Sequence, residues 1–432
     1  MVDSFAGRCS LYIKIKIMSS MNKNNNIIKK IKKVEKETLG TFQEEIPSQY
    51  FSHKNKAVYR DYVRNAEFAY RELFKFPPQM FRGTELIDFG AGTGENTVYL
   101  ANWGAKCTLV EMNPQAQSIS RDVFQKYARN FDDHTFVCSS IFDYTPIGNK
   151  QYDIVHCRGV LSHTAAKEAV FQKIANLIKP GGFLIFGDPN KAGGFQNMLQ
   201  RFAVYHFTST PDEIVEVCEF LFKEDIDRSE KFIPRTRRAI IFDRWVIQSQ
   251  DDPSVAEVMG WMRQSGLRLY SAYPSFMLPL LGDSTHHQPK FDAAPVLNHG
   301  VLAELVWMLH TDSDSEDFPK FMDKLSPFST AFADLTSYMA NFNKNTKLDV
   351  NRFHELSRAL AQSSDTLEDV LQPLRDKLLK ALKEADKFVS LVYESDLKKL
   401  RAFIEKTEAL FKGMCGVRHV DFIGYKPKED EN

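Results

Sequence analysis

The chain has 432 residues, of which 43% are hydrophobic and 26% are charged. This length exceeds what one hydrophobic core usually organises, and the composition is typical of a folded globular protein and not of a disordered or fibrous one. Lys plus Arg and Asp plus Glu each number 56, so the formal net charge is zero. A neutral chain has no global attraction to nucleic acid or to an acidic membrane, which favours a small-molecule substrate.

Cysteine usage and hydropathy both favour a cytoplasmic protein. The six cysteines include no CxxC pair, and several lie in apolar runs, which predicts reduced and packed thiols. No apolar run approaches the roughly 18 residues needed to cross a bilayer. The opening stretch through Met21 lacks the continuous apolar core of a signal peptide. We therefore expect a cytoplasmic chain without a membrane span.

Residues 1–45 are expected to form a flexible N-terminal segment. Within it, residues 27–36 place apolar side chains at helical spacing on a lysine-rich background. One interpretation is a helix on a membrane surface. A solvated helix is favoured because the stretch is short and has no aromatic residue. Residues 59–74 predict an amphipathic helix that ends before Pro77.

From Glu85 onward, short apolar runs alternate with helical stretches, which is typical of βαβ units and a parallel sheet. The first domain is expected to cover residues 46–275. The predicted strands are residues 85–89, 106–111, 134–138, 152–158, 182–187 and 268–273. An insertion at 190–266, with helices at 211–222 and 254–265, would lie over the carboxyl ends of the strands, where ligands bind in such sheets.

The most informative segment is LIDFGAGTGE, residues 86–95, in which a glycine-dense turn joins an apolar strand to a helix. Such a turn lets a ligand lie against bare backbone, next to the free N–H groups and positive dipole end of the helix. A nucleotide-like ligand is implied. A dinucleotide fingerprint, GxGxxG, would require glycine at Glu95, whereas Gly90, Gly92 and Gly94 form GxGxG.

With Asp88 preceding it, this turn resembles the first motif of the class I S-adenosylmethionine (SAM)-dependent methyltransferases. The resemblance continues in order through TLVEMNP, CSSIFD, YDIVHCRGVLSHT and LIKPGGFLIFGDPN, and it implies a Rossmann-like α/β fold. It also implies that Glu111, at the end of the second strand, binds both ribose hydroxyls, because one carboxylate can accept from two donors. The residues that the resemblance assigns to SAM are Asp88, Gly90, Ala91, Gly92, Gly94, Glu111, Met112, Ser140, Ile141, Cys157 and Arg158.

Two positions qualify this assignment. After the third strand the family usually has an aspartate that holds the adenine amino group, and Ser140 occupies that place here. The Ile141 backbone and Asp143 are the alternatives for adenine contact. No metal is expected, since His286, His287 and His299 have no carboxylate or cysteine at ligand spacing.

Methyl transfer requires mainly alignment and exclusion of water, and a base is needed only for a hydroxyl or a protonated amine. His163 and Asp188 are the candidate catalytic bases, because both follow strand ends. The fourth strand ends in CRGV and not in Asn-Pro-Pro-Tyr, which disfavours nucleobases and glutamine as acceptors. The segment after the fifth strand, residues 243–275, resembles a bacterial group of class I methyltransferases, which implies a small-molecule or sugar-like acceptor, methylated at O or N. The alternatives are an inactive SAM-binding scaffold with a helical docking region and, disfavoured by Glu95, a nicotinamide-dependent oxidoreductase.

Residues 276–415 are expected to form a helical insertion or subdomain. Its apolar stripe would pack on the catalytic domain or on a second copy in a homodimer, and it consists of Leu367, Leu371, Leu374, Leu378 and Leu382. Residues 416–427 alternate as a strand and end in the Lys-Pro that resembles the close of many class I methyltransferase sheets. We expect this strand to return antiparallel and complete a mostly parallel seven-stranded sheet with helices on both faces, leaving 428–432 as a tail. The competing interpretation is an independent C-terminal domain.

Overall fold

A computed structural model provides the structure of the chain. It describes residues 27–43, 46, 56–232, 236–246, 252–275, 301, 304–305, 308, 325–342, 347–367, 372–411 and 419–428. The three histidines considered as metal ligands, His286, His287 and His299, lie outside these ranges, as does Leu371. No helix among the described residues is long and apolar enough to span a membrane.

Seven strands form one sheet in the order β3-β2-β1-β4-β5-β7-β6. The strands are Glu85–Phe89 (β1), Lys106–Glu111 (β2), Thr135–Cys138 (β3), Tyr152–Arg158 (β4), Ile178–Pro189 (β5), Arg268–Tyr273 (β6) and His419–Tyr425 (β7). The first five pair in parallel with their neighbours. The predicted Rossmann-like architecture is confirmed.

Helices cover both faces of this sheet. The helices with described bounds are 27–43 (α1), Lys56–Phe68 (α2), Val98–Asn102 (α3), Pro114–Tyr127 (α4), Lys167–Ala175 (α5), Phe195–Phe207 (α6), Pro211–Phe232 (α7), Arg237–Ile241 (α8), Val255–Gln264 (α9), Ser326–Ala340 (α10), Val350–Ser363 (α11), Gln372–Tyr393 (α12) and Leu397–Lys406 (α13). Side chains alternate between faces along a strand, so Leu86 packs with α3 and α4, and Ile87 packs with α5 and α9.

The last strand, β7, lies between β5 and β6 and is antiparallel to both. It pairs with β5 from Phe183↔Tyr425 to Pro189↔His419. On its other side it pairs with β6 from Arg268↔Tyr425 to Tyr273↔Asp421. The predicted mostly parallel seven-stranded sheet is confirmed, with β7 as its antiparallel strand. Because β7 starts opposite the end of β5, its first residues lie at the carboxyl edge of the parallel strands.

The helices of the insertion and those of the C-terminal region share one apolar core, separate from the two cores of the sheet. Leu367, Leu374, Leu378 and Leu382 are each no more than 3% exposed within it. Their stripe is therefore covered by the chain's own helices, and packing on the catalytic sheet or on a second copy is not needed to cover it. Arg401 of α13 also binds Glu224 of α7, with Nη2 2.6 Å from Oε1.

The N-terminal helix α1 packs against the loops at the carboxyl edge of the sheet. Lys32 Nζ lies 2.8 Å from the Asp143 carboxylate. The Thr38 hydroxyl donates to the His163 carbonyl at 3.2 Å, and the Asn113 amide donates to the Phe42 carbonyl at 3.0 Å. The helix was predicted within a flexible, solvated segment. The structure instead places the helix against the carboxyl edge of the sheet. The sequence pattern of the helix could not show this, because its partners lie on three separate loops that are distant from it in sequence.

Candidate functional site

A cavity of about 540 Å³ opens where the carboxyl ends of the parallel strands meet. Residues from α1, the glycine turn, the ends of β2, β4 and β5, the loops after β2, β3 and β4, the first turn of α4 and the start of β7 line it. They are Glu35, Thr38, Phe42, Gly90, Ala91, Gly92, Thr93, Glu95, Asn96, Val110, Glu111, Met112, Asn113, Ala116, Ser139, Ser140, Ile141, Phe142, Arg158, Gly159, Val160, Ser162, His163, Thr164, Pro189 and His419.

The glycine turn presents bare backbone to this cavity. Gly90 has φ +65°, and a Cβ there would lie 2.5 Å from the Val160 side chain, so only glycine fits. Gly92 has φ +53°, and a Cβ there would meet nothing within 4 Å. Gly94 serves packing instead, since a Cβ there would lie 3.3 Å from the Phe124 ring of α4. The first two glycines therefore face the cavity, and Gly94 does not.

The Glu111 carboxylate is held at the cavity by two backbone amides. Oε2 accepts from Gly92 N at 2.8 Å, and Oε1 accepts from Asn113 N at 2.7 Å. Burial raises the pKa of Glu111, and the amides of Asn113 and Gly92 oppose that rise. The Asn113 side chain caps α4 by accepting from Gln115 N at 3.0 Å, with Pro114 at the first helical position. The MNP sequence thus fixes the helix start directly beside the carboxylate.

Ser140 and Ile141 also reach the cavity, at the turn after β3. The Ser140 hydroxyl accepts from Phe142 N at 3.1 Å and from Asp143 N at 3.2 Å. Ser140 therefore shapes the turn that presents the Ile141 backbone. Asp143 is exposed and paired with Lys32, and it is not among the lining residues.

Asp88 does not line the cavity, contrary to the sequence-based assignment. It is 3% exposed, its Oδ1 lies 2.7 Å from His156 Nδ1, and its Oδ2 accepts from the Thr97 hydroxyl. His156 Nε2 in turn lies 3.0 Å from the Tyr70 hydroxyl. Both carboxylate oxygens are used by this buried chain of hydrogen bonds, so Asp88 supports the glycine turn from beneath.

Of the remaining predicted residues, Arg158 and His163 line the cavity, whereas Cys157 and Asp188 do not. Cys157 is fully buried because it faces the core between the sheet and helices α5 and α9, and both faces of β4 are covered. Asp188 is 2% exposed, and burial raises its pKa to about 7, opposed by Lys167. The His163 ring packs edge-on against Phe42 with centroids 5.2 Å apart.

Sequence reasoning missed His419 and its partner Asp421, which is paired with the predicted residue Arg158. Arg158 Nε donates to Asp421 Oδ1 at 2.6 Å and Nη2 donates to Oδ2 at 3.1 Å, with the guanidinium 4.9 Å from the Phe74 ring centroid. His419 Nε2 lies 3.3 Å from Asp421 Oδ1. The return strand was predicted, but its pairing with β5 is what brings His419 to the cavity.

These features fit a nucleoside-bearing ligand. Bare backbone at Gly90 and Gly92 admits close approach, and the Glu111 carboxylate is an acceptor suited to vicinal hydroxyls. Met112 and Ile141 supply apolar surface in the same cavity. The residues that line the cavity are therefore of the kinds that can bind SAM.

Residues 59–220 match the sequence profile of the family described as "Methyltransferase domain". The ubiquinone biosynthesis O-methyltransferase of Klebsiella pneumoniae is 26% identical over 139 residues, covering 32% of this chain and 56% of the relative. That of Shewanella halifaxensis is 28% identical over 120 residues, covering 25% of this chain and 45% of the relative. The chain thus spans about half the length of the curated relatives it matches.

Among solved structures, a putative sarcosine dimethylglycine methyltransferase from Galdieria sulphuraria has a TM-score of 0.35 and 14% identity, covering 86% of this chain and 88% of that one. Residues 59–220 of this chain are therefore similar to methyltransferase domains, and they include the glycine turn and the first five strands of the sheet.

Proposed function

We propose that the protein transfers a methyl group from SAM to a small-molecule or sugar-like acceptor, at oxygen or nitrogen. The observation that carries the proposal is one shared cavity, which is lined by Glu111 and the Gly90–Gly92 backbone and also by His163 and His419. A donor site and an acceptor-facing group of polar side chains must adjoin for direct transfer.

The residues proposed to hold SAM are those of the expected set that line the cavity. They are Gly90, Ala91, Gly92, Glu111, Met112, Ser140, Ile141 and Arg158. When bound, SAM supplies an already activated methyl group. The chain's own part is then alignment and exclusion of water, and α1 covers the cavity through Glu35, Thr38 and Phe42.

The names of the curated relatives favour a hydroxyl acceptor, since both are O-methyltransferases. A hydroxyl must lose its proton during transfer, which calls for a base at the cavity. His163 and His419 both meet that condition by position, while Asp188 is buried outside the lining residues.

Isothermal calorimetry with SAM and with S-adenosylhomocysteine (SAH) tests the donor site. We expect Glu111→Ala to weaken binding by on the order of 2 kcal/mol, about thirtyfold, because a charge-assisted contact is lost. Glu168→Ala, at an exposed position of α5, is the matched control and should bind normally. Normal SAM affinity of Glu111→Ala would remove this residue from the site.

A screen for SAH formation against hydroxyl- and amine-bearing metabolites tests the activity. SAH formation with any acceptor supports transfer. Tight SAM binding without SAH formation would favour the inactive scaffold, and nicotinamide dinucleotide binding in place of SAM would favour the oxidoreductase.

A further inference from the structure

We propose that His419, oriented by Asp421, is the catalytic base that takes the proton from a hydroxyl-bearing methyl acceptor. The inference rests on the proposed methyl transfer and names the acceptor class of the same site. It assigns a role to a residue that neither the glycine-turn motif nor the family match, which ends at residue 220, includes.

His419 reaches the cavity because of strand pairing. It is the first residue of β7 and lies opposite Pro189, the last residue of β5. Both residues line the cavity. The His419 side chain is 40% exposed, whereas Asp421, two residues further along the same strand, is 5% exposed. The imidazole therefore lies at the boundary between the cavity and a buried carboxylate.

The buried carboxylate is kept ionised. Burial alone would raise the pKa of Asp421, but the Arg158 guanidinium, which binds both oxygens, and His419 hold that pKa well below its usual range. An ionised Asp421 accepts a hydrogen bond from a nitrogen that carries a proton. The nitrogen within reach is His419 Nε2, which lies 3.3 Å from Asp421 Oδ1. This leaves Nδ1 as the nitrogen that can accept a proton from a ligand.

Gly187 provides the space for this arrangement. A Cβ at Gly187 would lie 2.7 Å from His419 Nε2 and closer still to Asp421 Oδ1. Contacts that short do not occur between a Cβ and a properly placed neighbour, so the His419–Asp421 pair depends on glycine near the carboxyl end of β5. A glycine inside a paired strand weakens that strand, so Gly187 needs another explanation. The space that it leaves for His419 and Asp421 provides one.

The chemistry balances without a further reactant. The acceptor oxygen forms a bond to the methyl carbon of the sulfonium donor, the carbon–sulfur bond breaks, and its electron pair goes to sulfur. The hydroxyl proton moves to His419 Nδ1, and the resulting imidazolium is stabilised by Asp421. A neutral imidazole is matched to a weakly acidic hydroxyl, such as that of a phenol or an enol, and not to an alkyl ammonium. The acceptor class is therefore a weakly acidic hydroxyl compound.

The test uses 4-nitrophenol as a probe, because its phenolate has its own visible absorption. The full-length protein is saturated with SAH, and the absorbance of the bound probe is followed against pH. We expect the wild type to hold the probe as phenolate at lower pH than in free solution, and His419→Gln to lose that shift. The charged groups that face His419 are Asp421 on its own strand, Arg158 on β4 and Asp188 on β5.

His354→Gln is the matched control, since His354 Nδ1 lies 2.9 Å from Asp386 in the helical region, outside the residues that line the cavity. It should leave the phenolate shift intact. Asp421→Asn should reduce the shift without abolishing it, which a purely structural role would not produce. With an accepted hydroxyl substrate, His419→Gln should lower kcat about 100-fold and leave the SAM Kd unchanged.

Two results would overturn the inference. In the first, 4-nitrophenol bound to His419→Gln ionises at the same pH as when it is bound to the wild type. In the second, the wild type does not shift the pH at which the probe ionises. Loss of the shift in His163→Gln but not in His419→Gln would transfer the role to His163. SAH calorimetry separates these failures from failure of the proposed function. If either failed result is found in a protein that binds SAH normally, only the role of His419 as the base is rejected. If the protein does not bind SAH, the methyltransferase proposal is rejected.

Discussion

The His156 imidazole and the Asp88 carboxylate stand side by side on the neighbouring strands β4 and β1, with Nδ1 2.7 Å from Oδ1. Both side chains are almost fully buried. Tyr70 and Thr97 extend the chain of hydrogen bonds on either side. The glycine turn begins two residues after Asp88, so this buried pair anchors the strand from which the turn departs.

Asp88→Ala is expected to lower the free energy of unfolding by about 3 kcal/mol, because it leaves His156 and Thr97 buried without their partner. Urea denaturation followed by circular dichroism measures this. Asp132→Ala, at an exposed position, is the control and should change stability by less than about 0.5 kcal/mol. Equal stabilities of the two variants would show that the pair contributes nothing to the fold.

The burial of the Asp188 carboxyl group predicts that the free energy of unfolding falls as the pH rises. Burial raises its pKa from 3.8 to about 7, so between these values the folded chain binds a proton that the unfolded chain does not. The wild type should therefore lose this contribution as pH rises from about 4 to about 7. Asp188→Asn carries no charge, so its free energy of unfolding should rise relative to that of the wild type over the same pH window, by on the order of 4 kcal/mol in total.

Denaturation midpoints of both proteins at pH 5 and pH 8 measure that gain. Asp122→Asn, an exposed substitution on α4, is the control and should run parallel to the wild type. A difference between Asp188→Asn and the wild type that is the same at both pH values would mean that Asp188 is ionised throughout.

Gly187→Ala and Gly260→Ala form a matched pair on β5 and α9. At Gly187 the added methyl would collide with His419 and Asp421, so we expect a loss of about 2 kcal/mol in unfolding free energy and a disturbed cavity. At Gly260 the methyl would meet nothing within 4 Å and would lie in a helix, so stability should rise by up to about 1 kcal/mol. Thermal unfolding compares them. A Gly187→Ala protein as stable as the wild type would contradict the close packing on this side of β5.

Phe42→Ala tests the cover that α1 places over the cavity. The Phe42 ring contacts His163, and removing it should speed SAH dissociation about fivefold, in proportion to about 1 kcal/mol of lost contact. Stopped-flow fluorescence measures the rate. Ile28→Ala, on the same helix but 54% exposed, should leave the rate unchanged. If both variants release SAH at the wild-type rate, α1 does not limit exchange.

The strands could be predicted from local sequence because each is a short apolar run bounded by turn residues. The observed bounds of β1, β2, β4 and β6 are those that the hydrophobic pattern predicts. Glu111 could be placed beside the glycine turn because the motif fixes which strand follows it. These features depend on neighbours close in sequence or on a regular βαβ order.

The remaining features depend on contacts between distant parts of the chain. Asp88 looks like a ligand in sequence, and only its pairing with His156 on a neighbouring strand reveals a structural role. Helix α1 has a weak amphipathic pattern, and its position is decided by polar contacts to Asp143 and His163. His419 is the first residue of β7 and belongs to no sequence motif, so its place at the cavity follows from the pairing register of β7 with β5 alone.

The position of β7 between β5 and β6 has a consequence for biosynthesis. During translation β6 emerges long before β7, with the whole helical region between them, and β6 pairs with no other strand of the sheet. Until β7 arrives, the nascent chain carries three open strand edges, the outer edge of β5 and both edges of β6. Insertion of β7 must close a long loop, which is slow and entropically costly. The period between synthesis of β6 and insertion of β7 is therefore when this protein is most exposed to aggregation and most dependent on chaperones.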